Sequence, residues 1–461
     1  MAETDLPERD GDEDDYALDS RTVEAILAAV EAGDGAAIDR LTEPLHPADI
    51  ADLLEQISSA ERQALLAMWS FGIDGEILTE VDESIRDEVI EALPRDVLAE
   101  AVRELESDDV VDLIEDLDEP QQEMILDALH ETDRAAVEKS LTYPDHSAGR
   151  LMQREIVVAP EFWTVGEAID FLRAAPELPD QFYHVILVDP AHRPVGYVTL
   201  GKVLSSRRET RLRDITEDSF RTISVMEEEG DVAYAFNQYH LISAPVVDEH
   251  DRLVGVITID DAMAVLDEEH EDDVLKLAGV GEESAISDGI FETVKSRIPW
   301  LVVNLFTASL SAFVITAFEG TIVAIVALAA LMPMVASTGG IAGTQSLAVA
   351  VRALATRDLT AANAGRVVRR EMFSGLVNGL VLAAILGIGG AVISGEPMIG
   401  VVLALAMVVN QIVAAVGGVM VPLLLHRVGL DPALASGTFV TTLTDVMGYL
   451  AFLGFATAIL L

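Results

Sequence analysis

From residue 298 to residue 461 the chain consists largely of long uncharged apolar runs, and a bilayer-spanning helix needs roughly 20 such residues. The stretches 298–318, 372–393, 397–425 and 432–461 each satisfy that length. The stretch 321–351 exceeds one crossing and carries Pro333, Gly339, Gly340 and Gly343, which should interrupt it. Five spans are predicted. Basic residues fall in alternate connections: Lys295 and Arg297 before the first span, Arg352, Arg357, Arg366, Arg369 and Arg370 after the second, and Arg427 after the fourth. The connections around Glu319 and Glu396 carry none. Because Lys and Arg accumulate in cytoplasmic loops, the N-terminal part is expected in the cytoplasm and the C-terminus outside the cell membrane.

One carboxylate, Asp445, lies deep within the last run. On insertion scales such a group costs roughly 2.5–3.5 kcal/mol, so it normally faces water or a partner. No Lys or Arg lies inside a span to pair with it. Helical spacing places Thr438, Thr441, Asp445 and Gly448 on one face. Hydroxyls, one acid and a small residue suit a hydrated cation; the alternative is a protonated aspartate used in helix packing. Mg²⁺ sheds its waters reluctantly and usually meets one or two carboxylates. A transition metal would want His, Met or Cys nearby, and none of the nine histidines lies within a span. Mg²⁺ is therefore favoured as the substrate, with other hard divalent cations as open alternatives. No span carries a nucleophile–base pair, so enzymatic activity is not expected.

Charge divides the chain. Residues 297–461 hold six of its 79 acids and seven of its 29 basic residues, so the net charge of −50 divides into −51 for residues 1–296 and +1 for the rest. Only four lysines occur, Lys139, Lys202, Lys276 and Lys295, and there is no cysteine. Disulfides and thiolate metal sites are excluded. An acid-rich, lysine-poor surface suits concentrated salt, where screening tolerates it. It argues against a nucleic-acid partner, which needs a basic face. Residues 1–20 form an acidic polar tail, expected to be disordered.

Residues 21–148 repeat every 12 positions, with apolar residues at Leu45, Ile57, Trp69, Val81, Leu93, Leu105, Leu117, Leu129 and Leu141. One short helix per repeat, with one apolar and one acidic face, predicts a solenoid. Two copies of a β-α-β pattern follow, at 149–209 and 210–266. Each has short Val/Ile runs bounded by Asp, Pro and Gly, as in Tyr183-His-Val-Ile-Leu-Val-Asp and Ile242-Ser-Ala-Pro-Val-Val-Asp. They resemble a tandem pair of CBS domains, which often hold adenine nucleotides through a G-x-x-T-x-x-D element. Gly255, Thr258 and Asp261 match that element in the second copy, whereas Lys202 replaces the acid in the first. The resemblance implies ATP or another adenine nucleotide as a ligand; Thr258 could equally serve as a helix cap.

The order of helical acidic repeat, CBS pair and five spans resembles the MgtE family of magnesium channels. Tyr143-Pro-Asp-His-Ser-Ala-Gly-Arg-Leu-Met, Arg352-Ala-Leu-Ala-Thr-Arg-Asp-Leu and Thr441-Thr-Leu-Thr-Asp-Val-Met-Gly are similar to that family's strings. The resemblance implies a Mg²⁺-gated Mg²⁺ channel, a homodimer with its pore between subunits, and Asp445 at the pore. It also implies a linker helix over 267–296 that closes the pore, leaving 297–461 as the membrane domain. Sensor acids are implied at Asp261, Glu269, Asp272 and Asp273, with partners near Asp108, Asp109 and Asp112. The family's G-G-N-T-G-N-Q in span two reads Gly339-Gly340-Ile341-Ala342-Gly343-Thr344-Gln345 here, so two amides are lost.

Overall fold

The computed structural model describes residues 18–115, 117–175, 178–179, 182–217, 220–280 and 290–461. Almost all of the expected acidic tail lies outside them. The described chain forms two compact units, residues 1–267 and residues 268–461.

The first unit opens with ten short helices: α1 (Ser20–Ala32), α2 (Gly35–Thr42), α3 (Pro47–Gln56), α4 (Ser59–Trp69), α5 (Gly75–Glu80), α6 (Glu83–Ala92), α7 (Arg95–Glu104), α8 (Ser107–Glu115), α9 (Glu119–Ala128) and α10 (Glu131–Ser140). Helix starts at 47, 59, 83, 95, 107, 119 and 131 reproduce the 12-residue period. Capping side chains at several of these starts explain the phase. Ser58 and Glu61 form a reciprocal capping box, Asp118 pairs likewise with Gln121, and Asp82 accepts from the Ser84 amide at 2.9 Å. The periodic residues Ile57, Val81, Leu93, Leu105 and Leu129 sit in extended conformation just past helix ends. There Ile57, Val81 and Leu93 are buried in a core shared with Ile26, Leu53, Leu66, Val89, Val102 and Ile114. One repeat departs from the pattern. Trp69 folds over Gly72, where a Cβ would lie 2.2 Å from the indole, and the chain makes a tight turn over Ser70–Gly72 before α5.

After α11 (Ala148–Leu151) come two matching three-stranded sheets. In the first, β1 (Val158–Pro160) runs parallel to β2 (His184–Val188), which pairs antiparallel with β3 (Pro194–Thr199). In the second, β4 (Ile223–Ser224), β5 (Ser243–Val247) and β6 (Leu253–Thr258) repeat that order. Both copies carry a register shift near the end of the middle strand, at Leu187/Val188 and Val246/Val247. Helices α12 (Val165–Ala174) and α13 (Leu200–Ser205) serve the first sheet, and α14 (Glu229–Tyr239) and α15 (Ile259–Ala278) the second. The two copies meet at equivalent positions: His184, first in β2, has Nδ1 2.5 Å from Oγ of Ser243, first in β5.

The expected linker helix over 267–296 ends early. Helix α15 stops at Ala278 because Gly279 turns left-handed at φ +75, its N–H closing on the Lys276 carbonyl at 3.0 Å. Residues 281–289 lie outside those described, and residues 290–296 already belong to the first membrane helix.

The second unit contains α16 (Ile290–Ala317), α17 (Glu319–Ala324), α18 (Ala327–Ala355), α19 (Ala364–Ser394), α20 (Pro397–Arg427) and α21 (Pro432–Leu460). Five of these contain apolar stretches of 24 to 31 residues, long enough to cross a bilayer. Large apolar side chains such as Leu305, Phe306, Phe313, Ile385, Ile388 and Val392 are exposed on them, as lipid-facing residues would be. The second span differs from expectation. Its break falls at Ile325, where φ −134 and ψ 80 separate α17 from α18, and α18 then runs unbroken through Pro333 and the glycines. Helices α19 and α20 pack at backbone distance: a Cβ on Gly400 would lie 2.3 Å from the Gly387 carbonyl oxygen.

Candidate functional site

Helices α18 and α21 flank an open cavity of about 780 Å³. Thr441, Asp445 and Tyr449 line it from α21, and Ser337, Gly340, Thr344 and Gln345 from α18. Asp445 and Thr441 thus lie together as their spacing predicts. Thr438 and Gly448 do not line the cavity. Thr438 shares the face but lies nearly a turn before Thr441, below the lining, and Gly448 turns toward α20, where a Cβ would lie 2.9 Å from Nδ2 of Asn410. The polar lining from α18 is legible only as the recurrence of Ser337, Gly340, Thr344 and Gln345 at helical spacing. Thr344, Thr441 and Ile341 of the lining are exposed, so this wall of the cavity is open.

Behind the wall stands an amide pair. Asn410 and Gln411 are fully buried; Asn410 Nδ2 donates to the Val335 carbonyl at 2.9 Å and Gln411 Nε2 to the Thr338 carbonyl at 3.3 Å. These residues fix α18 without entering the cavity. Lys and Arg in the spans stand only near helix ends, away from Asp445.

A second acidic site lies within the first unit, where α8 meets α15. Asp108 is 8% exposed, and its carboxyl is held well above the usual range by burial and then by the nearby Asp261. Burial and the same neighbour push Asp109 up to about 7, and burial with Asp260 and Asp112 holds Asp261 at about 6. Two acids not singled out from the sequence complete the cluster. Glu106, raised to about 7 by burial and by Glu155, accepts from Gln153 Nε2 at 2.6 Å. Glu155 accepts from the Ser107 hydroxyl at 2.8 Å. Glu106 is discoverable as the residue opening the Glu-Ser-Asp-Asp string; nothing local marks Glu155. Asp112 is engaged differently, with Arg86 Nη2 3.2 Å from its carboxylate. Among the described residues, no three His, Asp or Glu side chains converge into a set that could hold a metal ion directly. The donors are nevertheless hard oxygens with an excess of negative charge, which fits a divalent cation bound through its own waters.

The remaining expected acids lie farther along α15. Glu269 is exposed; Asp272 pairs with Lys276 at 3.2 Å; Asp273 is partly buried, its carboxyl raised by burial and then by Asp431. In the G-x-x-T-x-x-D element, Thr258 donates through its hydroxyl to Asp261 at 2.5 Å and through its amide at 3.2 Å. Gly255 faces α11, where a Cβ would lie 2.6 Å from Met152 Sδ. The threonine and acid therefore pair across the start of α15.

Repeated helical array, paired CBS sheets and five apolar helices, two of which flank a cavity holding Asp445, define a multi-pass membrane protein with a soluble N-terminal part. Known families match each piece: the MgtE intracellular N domain over residues 45–146, the CBS domain over 148–209 and 212–268, and the MgtE divalent cation transporter domain over 332–455. The chain is 33% identical over 448 residues to the magnesium transporter MgtE of Thermus thermophilus, covering 96% of this chain and 99% of that one. It is also 33% identical over 321 residues to the MgtE of Enterococcus faecalis, covering 70% and 71%. A crystal structure of the cytosolic domain of the Mg²⁺ channel MgtE in complex with ATP aligns at 29% identity and a TM-score of 0.48, over 53% of this chain and 99% of that one. The chain belongs to the MgtE family.

Proposed function

We propose that this protein conducts Mg²⁺ across a membrane along the cavity between α18 and α21, and that its acidic soluble part closes the path when Mg²⁺ is plentiful. The observation that carries the reading is Asp445, a carboxylate in a largely apolar cavity between α18 and α21, with the basic residues of the membrane helices confined to helix ends. Hydroxyls at Ser337, Thr344 and Thr441 would bind the waters of a hydrated ion, and Asp445 its charge. The family relatives' names supply the ion.

Because the wall is open beside Thr344 and Thr441, a second copy of the chain would complete it, and two Asp445 carboxylates would then share one ion. The soluble part would face the cytoplasm, on the side of the basic connections. Gating follows from charge. Asp108, Asp109 and Asp261 repel one another across α8 and α15, so Mg²⁺ favours the arrangement that brings them together. Asp112, already paired with Arg86, contributes less. An adenine nucleotide remains a second proposed ligand of the CBS pair.

The test is Mg²⁺ flux in reconstituted vesicles, for the native chain and Asp445→Asn, with Mg²⁺ on the side of the soluble part low and then high. The expected result is flux that falls when that Mg²⁺ is raised and is lost in the variant. Undiminished flux in Asp445→Asn removes the proposed path; native flux indifferent to Mg²⁺ removes the gate.

A further inference from the structure

In the last turn of α15, Lys276 lies between two carboxylates. Its Nζ is 3.2 Å from Asp272 Oδ2, one turn earlier on the same helix, and 3.4 Å from Asp431 Oδ2, at the start of α21. The lysine side chain is only 12% exposed. Asp431 also caps α21, accepting from the Ala433 amide at 2.7 Å. The next residue, Leu277, packs against Leu347 and Val351 of α18 and Ala433 and Val440 of α21. These are the two helices that line the Asp445 cavity, and Val440 immediately precedes the cavity residue Thr441. Asp273 adds a third carboxylate near Asp431. Without a cation these acids would repel the helix end from α21; the chain supplies that cation itself, from one of its four lysines.

We propose that Lys276 is a tethered counter-cation that latches the end of α15 onto the cavity-lining helices, so that this contact closes without a divalent ion. The inference rests on the transport reading above and divides the control in two. The Asp108, Asp109 and Asp261 cluster responds to Mg²⁺, whereas the Asp272, Asp273 and Asp431 contact is held by the amine. Asp272 and Asp273, implied as sensor acids by family resemblance, become partners of a fixed charge. A weakly screened pair of this kind, mostly removed from solvent, keeps its attraction in salt better than an exposed one.

Hydrogen exchange of the amides at 270–278, measured on the full chain in detergent with Mg²⁺ chelated, tests the latch without any flux. The expected result is native protection, exchange about tenfold faster in Lys276→Gln, and near-native exchange in Lys276→Arg. Asp431→Asn, which keeps a capping side chain, should loosen the same segment, and the double variant should exchange no faster than either single one. Vesicle flux at high Mg²⁺ should rise several-fold in Lys276→Gln. Unchanged exchange in Lys276→Gln, or native protection that appears only when Mg²⁺ is added, overturns the proposal. Because exchange is read independently, a chain that moved no Mg²⁺ would refute the transport reading and leave the latch measurable. Exchange within α19 and α20 serves as the folding control, and should Lys276→Gln fail there, Asp431→Asn carries the measurement.

Discussion

The side-chain amide of Asn410 donates to the main-chain carbonyl of Val335 at 2.9 Å, and it does so where two glycines leave it room. A Cβ on Gly339 would lie 2.1 Å from Asn410 Nδ2, and one on Gly448 would lie 2.9 Å away. Three helices therefore cross at one amide, and a methyl group on either glycine would force the Asn410 side chain to shift. Gly339→Ala should cost ~1–3 kcal/mol, as overpacked cores do, and lower both the thermal midpoint in detergent and the flux. Asn410→Ala should lose stability by itself, yet recover part of the Gly339→Ala defect in the double variant. Additive losses would show that the residues do not share this contact.

Burial holds Asp109 at about 7, against acids on both helices. A carboxyl whose folded value lies above its unfolded one of ~3.9 weakens folding at neutral pH, since the charged form is the poorer fit. Asp109→Asn should therefore raise the thermal midpoint of the full chain in chelator; a gain of ~1 kcal/mol corresponds to about 2–4 °C for a domain of this size. Added Mg²⁺ should stabilise the variant less than the native chain. A midpoint that falls in chelator would contradict the cluster's repulsion.

Asp112 gives the complementary case. Arg86, 6% exposed, donates through Nη1 to the Asp112 carbonyl at 3.3 Å as well as pairing with its carboxylate. Arg86→Ala should cost about 2–4 kcal/mol through lost packing and a lost pair, read as a lower midpoint. Asp112→Asn should leave the Mg²⁺ dependence of flux nearly native, unlike Asp109→Asn.

His184 makes the join between the two CBS copies sensitive to acid. It is 8% exposed, stacks edge-on against Tyr197 with centroids 4.3 Å apart, and has its pKa lowered by burial, partly opposed by Glu217. The unfolded chain then binds the proton more readily than the folded one. Its contribution is intact above ~6.5 and is lost as pH falls through that value toward the lower folded one. Between pH 7.5 and 5.5 the native midpoint should fall relative to that of His184→Gln. The comparison with the variant matters because Glu106 and Asp109, protonating over the same range, push stability the other way. Parallel curves would remove His184 as the cause.

Much of this architecture is legible locally. The 12-residue array follows from residues such as Ser58, Asp82 and Asp118, whose side chains start helices whatever surrounds them. The five spans follow from length and hydropathy. What escapes is set by distant neighbours or by single dihedrals. Gly279 could have continued a helix; only its left-handed φ of +75 ends α15 there. Gly448 shares a face with Asp445 by spacing, but Asn410, 38 positions earlier, decides that it packs rather than lines. Glu155 joins Glu106 because the chain returns to α8 after α10, which no local pattern records. Conversely, Asp112 sits beside Asp108 and Asp109 in sequence and adds to their repulsion, yet it also pairs with the buried Arg86, which no local pattern records.

Most units of the N-terminal array carry their own start signal, and most place a tucked-in apolar residue at the hinge to the next. Length there is consequently counted in whole units. Excising twelve residues would slide later helices up by one place with their greasy sides still inward. Excising eleven would rotate one of them by about 100° and turn that side toward solvent.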